Sequence, residues 1–217
     1  MHGLPDQSLA DALSDLQQAI DCAPPHLSWY QLTIEPNTAF ASKPPKLPED
    51  DTLWDIYEQG HAMLTAQGYQ QYEISAYAKA GYQCRHNLNY WRFGDYLGIG
   101  AGAHSKLSFA HRVVRQVRLR DPGRYMDSAL AGSALVQDDD VRRADLPFEY
   151  MLNALRLRGG FALQDFMART GLPLTAIAKG LKEAESKGLI ERDLAHVRPT
   201  ERGFDFLSDL QELFLAD

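Results

Sequence analysis

Cysteine is nearly absent from this chain of 217 residues, which contains only Cys22 and Cys84. Two thiols cannot supply the four ligands of a tetrahedral zinc site or of an iron–sulfur cluster. The two cysteines are 62 residues apart, and this spacing matches no local metal-binding motif. We therefore expect two free thiols in a protein of a reducing compartment, each behaving as a small packing side chain.

Long apolar runs and an excess of basic residues are also missing. No apolar stretch approaches the roughly 20 residues that cross a bilayer, and no signal peptide precedes the first helical pattern. We therefore expect no transmembrane segment and a cytoplasmic location, with peripheral membrane contact left open. The net charge is −7 and the pI is about 5.5, whereas nucleic-acid-binding proteins normally carry a basic face. We therefore expect no nucleic-acid partner.

The first two thirds of the chain alternate between strand-like and helix-like patterns. Ser8 and Asp11 form a capping-box pattern at the start of a predicted helix over residues 9–22. Further strands and helices are predicted over residues 26–36 (strand), 49–68 (helix), 69–78 (strand) and 95–107 (strand). Because strand, helix and strand follow one another, the pattern predicts a parallel α/β architecture for residues 1–137.

Helical patterns dominate from about Asp138 onwards. They cover residues 146–157, 162–170, 174–190 and 200–215, with a predicted tight hairpin within 189–200. This order is typical of a small winged-helix-like module, so we place a second domain at residues 138–217. Such a module can bind DNA, but its third helix mixes three lysines with Glu183 and Glu185, which is weak against a polyanion. A helical cap on the α/β part is the favoured interpretation.

A run of glycines follows one predicted strand, at Gly98, Gly100 and Gly102. A dinucleotide-binding loop has a different spacing and opens directly into a helix, which this segment does not. The run instead indicates a strand end at which another backbone segment, or a small or planar ligand, approaches closely.

His86 lies among aromatic residues and has two interpretations. Composition alone favours a packing histidine whose ring nitrogens are satisfied by the backbone. The alternative is an axial ligand of haem iron, for which Tyr90, Trp91 and Phe93 would provide flat apolar walls. His104 and His111 are close in sequence and compete for the same role.

Two motifs in fixed order carry a resemblance to a known family. "HNLNYW" (86–91) followed by "YLGIGAGAHS" (96–105) resembles the signature of the bacterial radical-SAM haem chaperones, the HemW family, which is close to the oxygen-independent coproporphyrinogen III oxidases. "MHGLPDQS" (1–8) and "HLSWYQLTIEPNT" (26–38) resemble barrel segments of that family. The tail from about Pro147 resembles its C-terminal domain, so the resemblance covers essentially the whole chain.

The resemblance implies a fold, a cofactor and partners. The fold would be part of an open (β/α) barrel followed by a small, mostly helical C-terminal domain. His86 would bind haem iron, with Asn87, Tyr90 and Trp91 completing the motif, and the haem would pass to haem-requiring proteins such as respiratory enzymes. Possession of the motif favours a chaperone over the alternative, a coproporphyrinogen III oxidase of porphyrin biosynthesis.

The chain departs from the family at the iron–sulfur cluster. Family members hold a 4Fe-4S cluster with a C-x-x-x-C-x-x-C loop and bind S-adenosylmethionine beside it, and that loop is not in this sequence. We therefore expect the chain to begin in the middle of the barrel and to perform no radical chemistry by itself. Thr33 and the three glycines are candidates for lining what remains of the S-adenosylmethionine cavity.

Overall fold

The structure is a computed structural model that describes residues 1–216. The chain divides into two compact units, Met1–Cys84 and a second that begins at Arg85. Each unit has a hydrophobic cluster made only of its own residues. The domain boundary expected between residues 137 and 138 falls within the second unit. Because compactness does not define a family domain, that boundary stays a prediction.

The first unit combines helices with a small sheet. Its helices are α1 (Leu9–Asp21), α2 (Ala39–Ser42) and α3 (Asp50–Ala66), and its strands are β1 (His26–Ser28), β2 (Gln70–Glu73) and β3 (Ala76–Ala78). β3 lies between β1 and β2. The predicted cap of α1 is confirmed, because the Asp11 amide donates to the Ser8 hydroxyl at 3.2 Å and the Asp11 carboxylate accepts from the Ser8 amide at 3.1 Å.

Two predicted strands of this unit are wrong in extent. Only the first three residues of 26–36 pair as a strand. Residues 69–78 form two strands of a hairpin, because the Glu73 carboxylate accepts a 3.0 Å hydrogen bond from the Ser75 amide and fixes a turn between them.

The predicted parallel architecture is also wrong. All strand ladders among residues 1–216 are antiparallel, and the one parallel pairing is an isolated bridge between His2 and Gln31. Short connections explain three of the six ladders, β2–β3, β4–β5 and β8–β9, because two or three residues can join only antiparallel neighbours, whereas a parallel crossover needs a dozen or more. The described residues therefore contain no parallel ladder of the expected partial (β/α) barrel, and the fold is a mixed α/β one.

The second unit contains most of the regular structure. Its helices are α4 (Arg85–Trp91), α5 (Pro122–Leu130), α6 (Leu146–Ala154), α7 (Leu163–Thr170), α8 (Ala178–Ser186), α9 (Glu201–Asp205) and α10 (Leu207–Glu212), with a 3-10 turn at Leu174–Ala176. Its strands are β4 (His104–Phe109), β5 (Arg112–Arg118), β6 (Leu135–Asp140), β7 (Phe161–Ala162), β8 (Ile190–Arg192) and β9 (His196–Pro199). They form two antiparallel sheets, in the orders β4–β5–β6 and β7–β9–β8.

The C-terminal order of helices and hairpin agrees with the sequence pattern, and its winged-helix character stays a prediction. Thr200 caps α9 by accepting a 3.0 Å hydrogen bond from the Gly203 amide. The expected single last helix is broken at Phe206, whose backbone leaves the helical region with ψ at 45°. The hydrophobic cluster of this unit unites α6, α7, α8 and α10 with Phe93 and Val113. Residues that follow the His86 motif are therefore anchored in the core of the C-terminal helices.

Candidate functional site

The short helix α4 presents His86 and Tyr90 on one face. The two residues are four apart, so their side chains are neighbours on the helix surface. Their ring centroids are 4.9 Å apart with planes at 73°, an edge-to-face contact. His86 is exposed and Tyr90 is half-buried. The imidazole is therefore accessible from solvent while one side of it is supported by an aromatic ring.

A second aromatic ring extends this surface towards the sheet. The rings of Tyr90 and Tyr96 have centroids 4.7 Å apart. The Tyr96 hydroxyl accepts a 2.9 Å hydrogen bond from the guanidinium of Arg115, which also forms an ion pair with Glu149 on α6. The three rings of His86, Tyr90 and Tyr96 therefore form a row, and its last member is hydrogen-bonded to the ion pair that joins β5 and α6. No sequence pattern indicated this row, because Tyr96 joins it only through the fold.

The other motif residues have different surroundings. Asn87 and Trp91 are half-buried on α4. One face of Trp91 is covered by the guanidinium of Arg156, 4.2 Å from the ring centre. The buried indole N–H of Trp91 has no hydrogen-bond acceptor within residues 1–216. Trp91 is therefore held by a cation–π contact with its indole N–H unsatisfied.

Phe93 is not an available wall for a ligand, which corrects the expectation that three aromatic residues line the site. Its side chain is 1% exposed and packs against Tyr150 with ring centroids 5.5 Å apart. Its φ angle is +54°, a left-handed conformation that costs a non-glycine residue on the order of 1 kcal/mol. The backbone turns here, immediately after the motif, so that the ring can enter the core.

Lys106 is the buried cation of the site, with only 2% of its side chain exposed. Its ammonium donates to the Phe93 carbonyl at 3.0 Å, to the Asp95 carboxylate at 3.0 Å and to the Ser108 hydroxyl at 2.9 Å. It also lies 3.9 Å from the centre of the Phe93 ring. All three donor positions are therefore satisfied, as a buried charge requires. Sequence reasoning missed this cluster, since a lysine in a strand usually faces solvent.

The charges of this cluster stabilise one another. Burial lowers the pKa of Lys106, and the hydrogen bond to Asp95 opposes that shift. Burial alone would raise the pKa of Asp95, but hydrogen bonds from Ser108 and Lys106 outweigh it, so the pKa of Asp95 is lowered. The contacts with Asp95 thus offset part of the cost of burying the ammonium, and Lys106 bridges the end of α4 and the strand β4.

The glycine run is a loop whose backbone is hydrogen-bonded within the second unit. Gly98 donates to the Ser105 hydroxyl at 2.9 Å, Gly100 to the Tyr125 hydroxyl at 3.1 Å, and Gly102 to the Leu119 carbonyl at 2.7 Å. A Cβ at Gly98 would collide with the backbone of His104. The expected close approach is therefore made by the neighbouring backbone. The two large residues between the glycines, Leu97 and Ile99, are exposed.

The remaining predicted residues are divided between the two units. Thr33 is exposed in the first unit, whereas the glycines belong to the second. His104 and His111 are exposed, and among residues 1–216 His86 alone of these three histidines contacts an aromatic ring.

The residues present do not fit an iron–sulfur cluster. Cys22 is exposed and Cys84 is half-buried, and both are free thiols. No group of three or more cysteine, histidine or acidic side chains among the described residues could hold a metal ion. A haem iron is a different case, because the porphyrin supplies four ligands and the protein needs to supply one imidazole. An accessible imidazole beside an aromatic row meets that requirement.

The described residues include no helix that is long and apolar enough to cross a membrane.

Comparison with known proteins gives concordant results. Residues 141–206 match the HemN C-terminal domain family. The whole chain is similar to proteins named "Heme chaperone HemW", with 56% identity to that of Escherichia coli and 52% to that of Haemophilus influenzae. It spans 57% and 56% of the length of these two relatives. At 28% identity, the bovine mitochondrial "Radical S-adenosyl methionine domain-containing protein 1" matches 97% of the chain, which spans 50% of that protein.

One solved structure shares the fold. Coproporphyrinogen III oxidase (HemN) from Escherichia coli, described as a radical SAM enzyme, superposes with a TM-score of 0.75 over 98% of this chain and 53% of the oxidase chain. The sequence identity is 19%, so this likeness concerns the fold alone.

Proposed function

We propose that this chain, which belongs to the HemW family of haem chaperones and corresponds to the C-terminal part of its members, binds haem through His86. The observation that carries the proposal is the exposed imidazole of His86, supported edge-to-face by Tyr90 within the motif. The haem would then be delivered to haem-requiring proteins, and the chain would act in the cytoplasm.

The roles of the surrounding residues follow from their contacts. His86 would hold the iron, and Tyr90 would limit rotation of the imidazole by its ring contact. The exposed Leu97 and Ile99, which follow Tyr96 in the chain, offer apolar surface for a porphyrin. Asn87 and Trp91 would complete the motif, with Arg156 holding the indole plane.

The distribution of arginine also suits haem, whose two propionates are carboxylates. All fifteen arginines of the chain lie in residues 85–217, and none lies in residues 1–84. The guanidinium group binds carboxylates in a bidentate manner better than lysine does. The unit that carries the motif is therefore also the one equipped to bind an anionic ligand.

We assign neither radical chemistry nor an iron–sulfur cluster to these residues, since the thiols present cannot hold one. In full-length relatives of the radical SAM family, S-adenosylmethionine and a 4Fe-4S cluster would supply that chemistry, with Thr33, Gly98, Gly100 and Gly102 as candidate lining residues. The C-terminal helices would act as a winged-helix-like cover. Lys187 at the end of α8 is paired with Glu183 at 2.8 Å, so part of the basic charge of this helix is offset by its own acidic residues.

Haem titration of the His86→Ala variant tests the proposal. We expect the affinity for hemin to fall by more than about tenfold and the Soret band of the complex to shift, because the iron loses its imidazole ligand. The His104→Ala variant is the matched control, since His104 is also exposed but lacks an aromatic neighbour among the described residues. An unchanged Soret band and affinity in His86→Ala would refute the proposal.

A further inference from the structure

The helix that carries His86 is short and ends abruptly. α4 has seven residues, and a helix of this length is not stable on its own in water. The orientation of its exposed face, and therefore of the imidazole, depends on what holds its two ends. At the C-terminal end of α4 the chain enters the hydrophobic core, where Phe93 is 1% exposed.

The contacts at this end converge on a strained residue. Phe93 has a left-handed backbone at φ +54°, and its amide donates to the Tyr90 carbonyl at 2.9 Å. Gly94 follows, and its amide donates to the Asn89 carbonyl at 2.7 Å. A Cβ at Gly94 would collide with the side chain of Asn89. The chain therefore closes on the last turn of the helix, in a conformation that a phenylalanine adopts only when other groups stabilise it.

Lys106 supplies that stabilisation from a different element. Its ammonium touches Phe93 twice, by a 3.0 Å hydrogen bond to the carbonyl oxygen and by a cation–π contact 3.9 Å from the ring centre. Asp95 and Ser108 hold the ammonium in place, and Asp95 itself accepts from the Ser108 amide at 3.0 Å. One buried cation thus joins the end of the helix, the loop after it and the strand β4.

From these contacts we infer that Lys106 is a positioning residue of the haem site: it fixes the left-handed turn at Phe93 and thereby the direction in which α4 presents His86. This inference rests on the proposed function. Lys106 touches neither His86 nor, by the proposal, the ligand, and it acts through the backbone of the motif helix.

The Lys106→Met variant tests the inference, because it keeps the apolar stem of the side chain and removes the ammonium group. We expect hemin to bind about tenfold more weakly and the Soret band to shift towards that of His86→Ala. Leu181→Ala is the matched control: Leu181 is 3% exposed on α8 in the same hydrophobic cluster, and its truncation lowers stability without removing any hydrogen bond at the end of α4. If Lys106 contributed only to stability, the Soret band of Lys106→Met would have the same position as that of Leu181→Ala.

Asp95→Asn keeps the test valid if Lys106→Met does not fold. Asp95 is 41% exposed, so its amide variant remains solvated while the ammonium loses its charged partner. We expect haem affinity and Soret position to change in the same direction as in Lys106→Met, but by less. A Soret band and affinity equal to those of Leu181→Ala, in whichever of the two variants folds, would overturn the inference.

Hydrogen exchange separates this inference from the proposed function. We expect the amides of Phe93 and Gly94 to exchange at least about tenfold faster in Lys106→Met than in Leu181→Ala, compared at equal global stability. This readout needs no haem. If His86→Ala binds haem as the wild type does, the proposed function fails while the exchange rates still decide the role of Lys106. Equal exchange rates in the two variants would refute that role.

Discussion

His2 shows how one buried residue couples stability to pH. Its side chain is 4% exposed, its Nδ1 has no hydrogen-bond partner among residues 1–216, and its ring lies 4.3 Å from that of Trp29. Burial, with a smaller contribution from the amino terminus, lowers the pKa of His2 from 6.5 to about 4. The folded protein therefore holds His2 neutral at a pH at which the unfolded chain protonates it.

The stability contribution of His2 has a definite sign. It is fully present above pH 6.5, it falls as the pH drops from 6.5 towards 4, and no more is lost below that range. Between pH 7 and pH 5 we expect the wild type to lose about 2 kcal/mol of unfolding free energy more than a His2→Gln variant does. Urea unfolding at the two pH values measures the difference. Equal losses in the two proteins would contradict the burial of a neutral imidazole at this position.

At the scale of elements, the loop between α4 and β4 contains two glycines that are required for different physical reasons. Gly98 has no space for a Cβ, which would overlap the backbone of His104. Gly100 has open space around that position but a φ angle of +112°. The first constraint comes from packing against rigid backbone, and the second from the backbone conformation alone.

Alanine substitutions at these two positions should therefore differ. Gly98→Ala forces two backbone segments apart and should cost several kcal/mol, about 3 or more. Gly100→Ala should cost about 1 kcal/mol, as expected for a non-glycine residue at positive φ. Chemical denaturation of both variants measures the costs. Equal destabilisation, or a larger effect at Gly100, would show that the loop relaxes in a way that the structure does not indicate.

The elements also show what sequence patterns can predict in this chain. The cap at Ser8 and the C-terminal hairpin follow from local signals, and the motif singles out His86, whose exposure only the structure shows. In the sheet β4–β5–β6, the predicted strand over residues 95–107 includes only part of β4, because residues 98–102 form a loop. The strand β6 was missed because it ends in three aspartates, which locally favour a loop, and tertiary pairing overrides that preference. Lys106 could not be assigned, because its burial depends on Asp95 and Ser108, which only the fold brings to it.

At the scale of the molecule, charge and core are divided between the two units. Residues 1–84 contain three lysines and eleven acidic residues, whereas residues 85–217 contain nineteen basic and eighteen acidic residues. The first unit is therefore strongly acidic and the second nearly neutral. All members of each hydrophobic cluster belong to a single unit. Each unit therefore has a core of its own and can unfold cooperatively by itself.

Two unfolding transitions are the expected consequence. Leu16→Ala removes a side chain that is 2% exposed in the first unit, and Leu181→Ala removes one that is 3% exposed in the second. Each truncation should cost about 2–5 kcal/mol and should lower the melting temperature of one transition while leaving the other in place. Differential scanning calorimetry of the wild type and both variants provides the comparison. A single transition that moves equally in both variants would show that the two cores melt together.

The strand β6 has a consequence for how the protein behaves at high concentration. It is the outer strand of its sheet, all six of its residues are exposed, and its second half is Asp138, Asp139 and Asp140. An outer strand offers free amide and carbonyl groups that could template strand addition from another molecule. Three consecutive carboxylates would face their own copies in such an assembly, and their mutual repulsion disfavours it. The strand β6 can therefore form the edge of its sheet while its charge disfavours strand pairing between molecules.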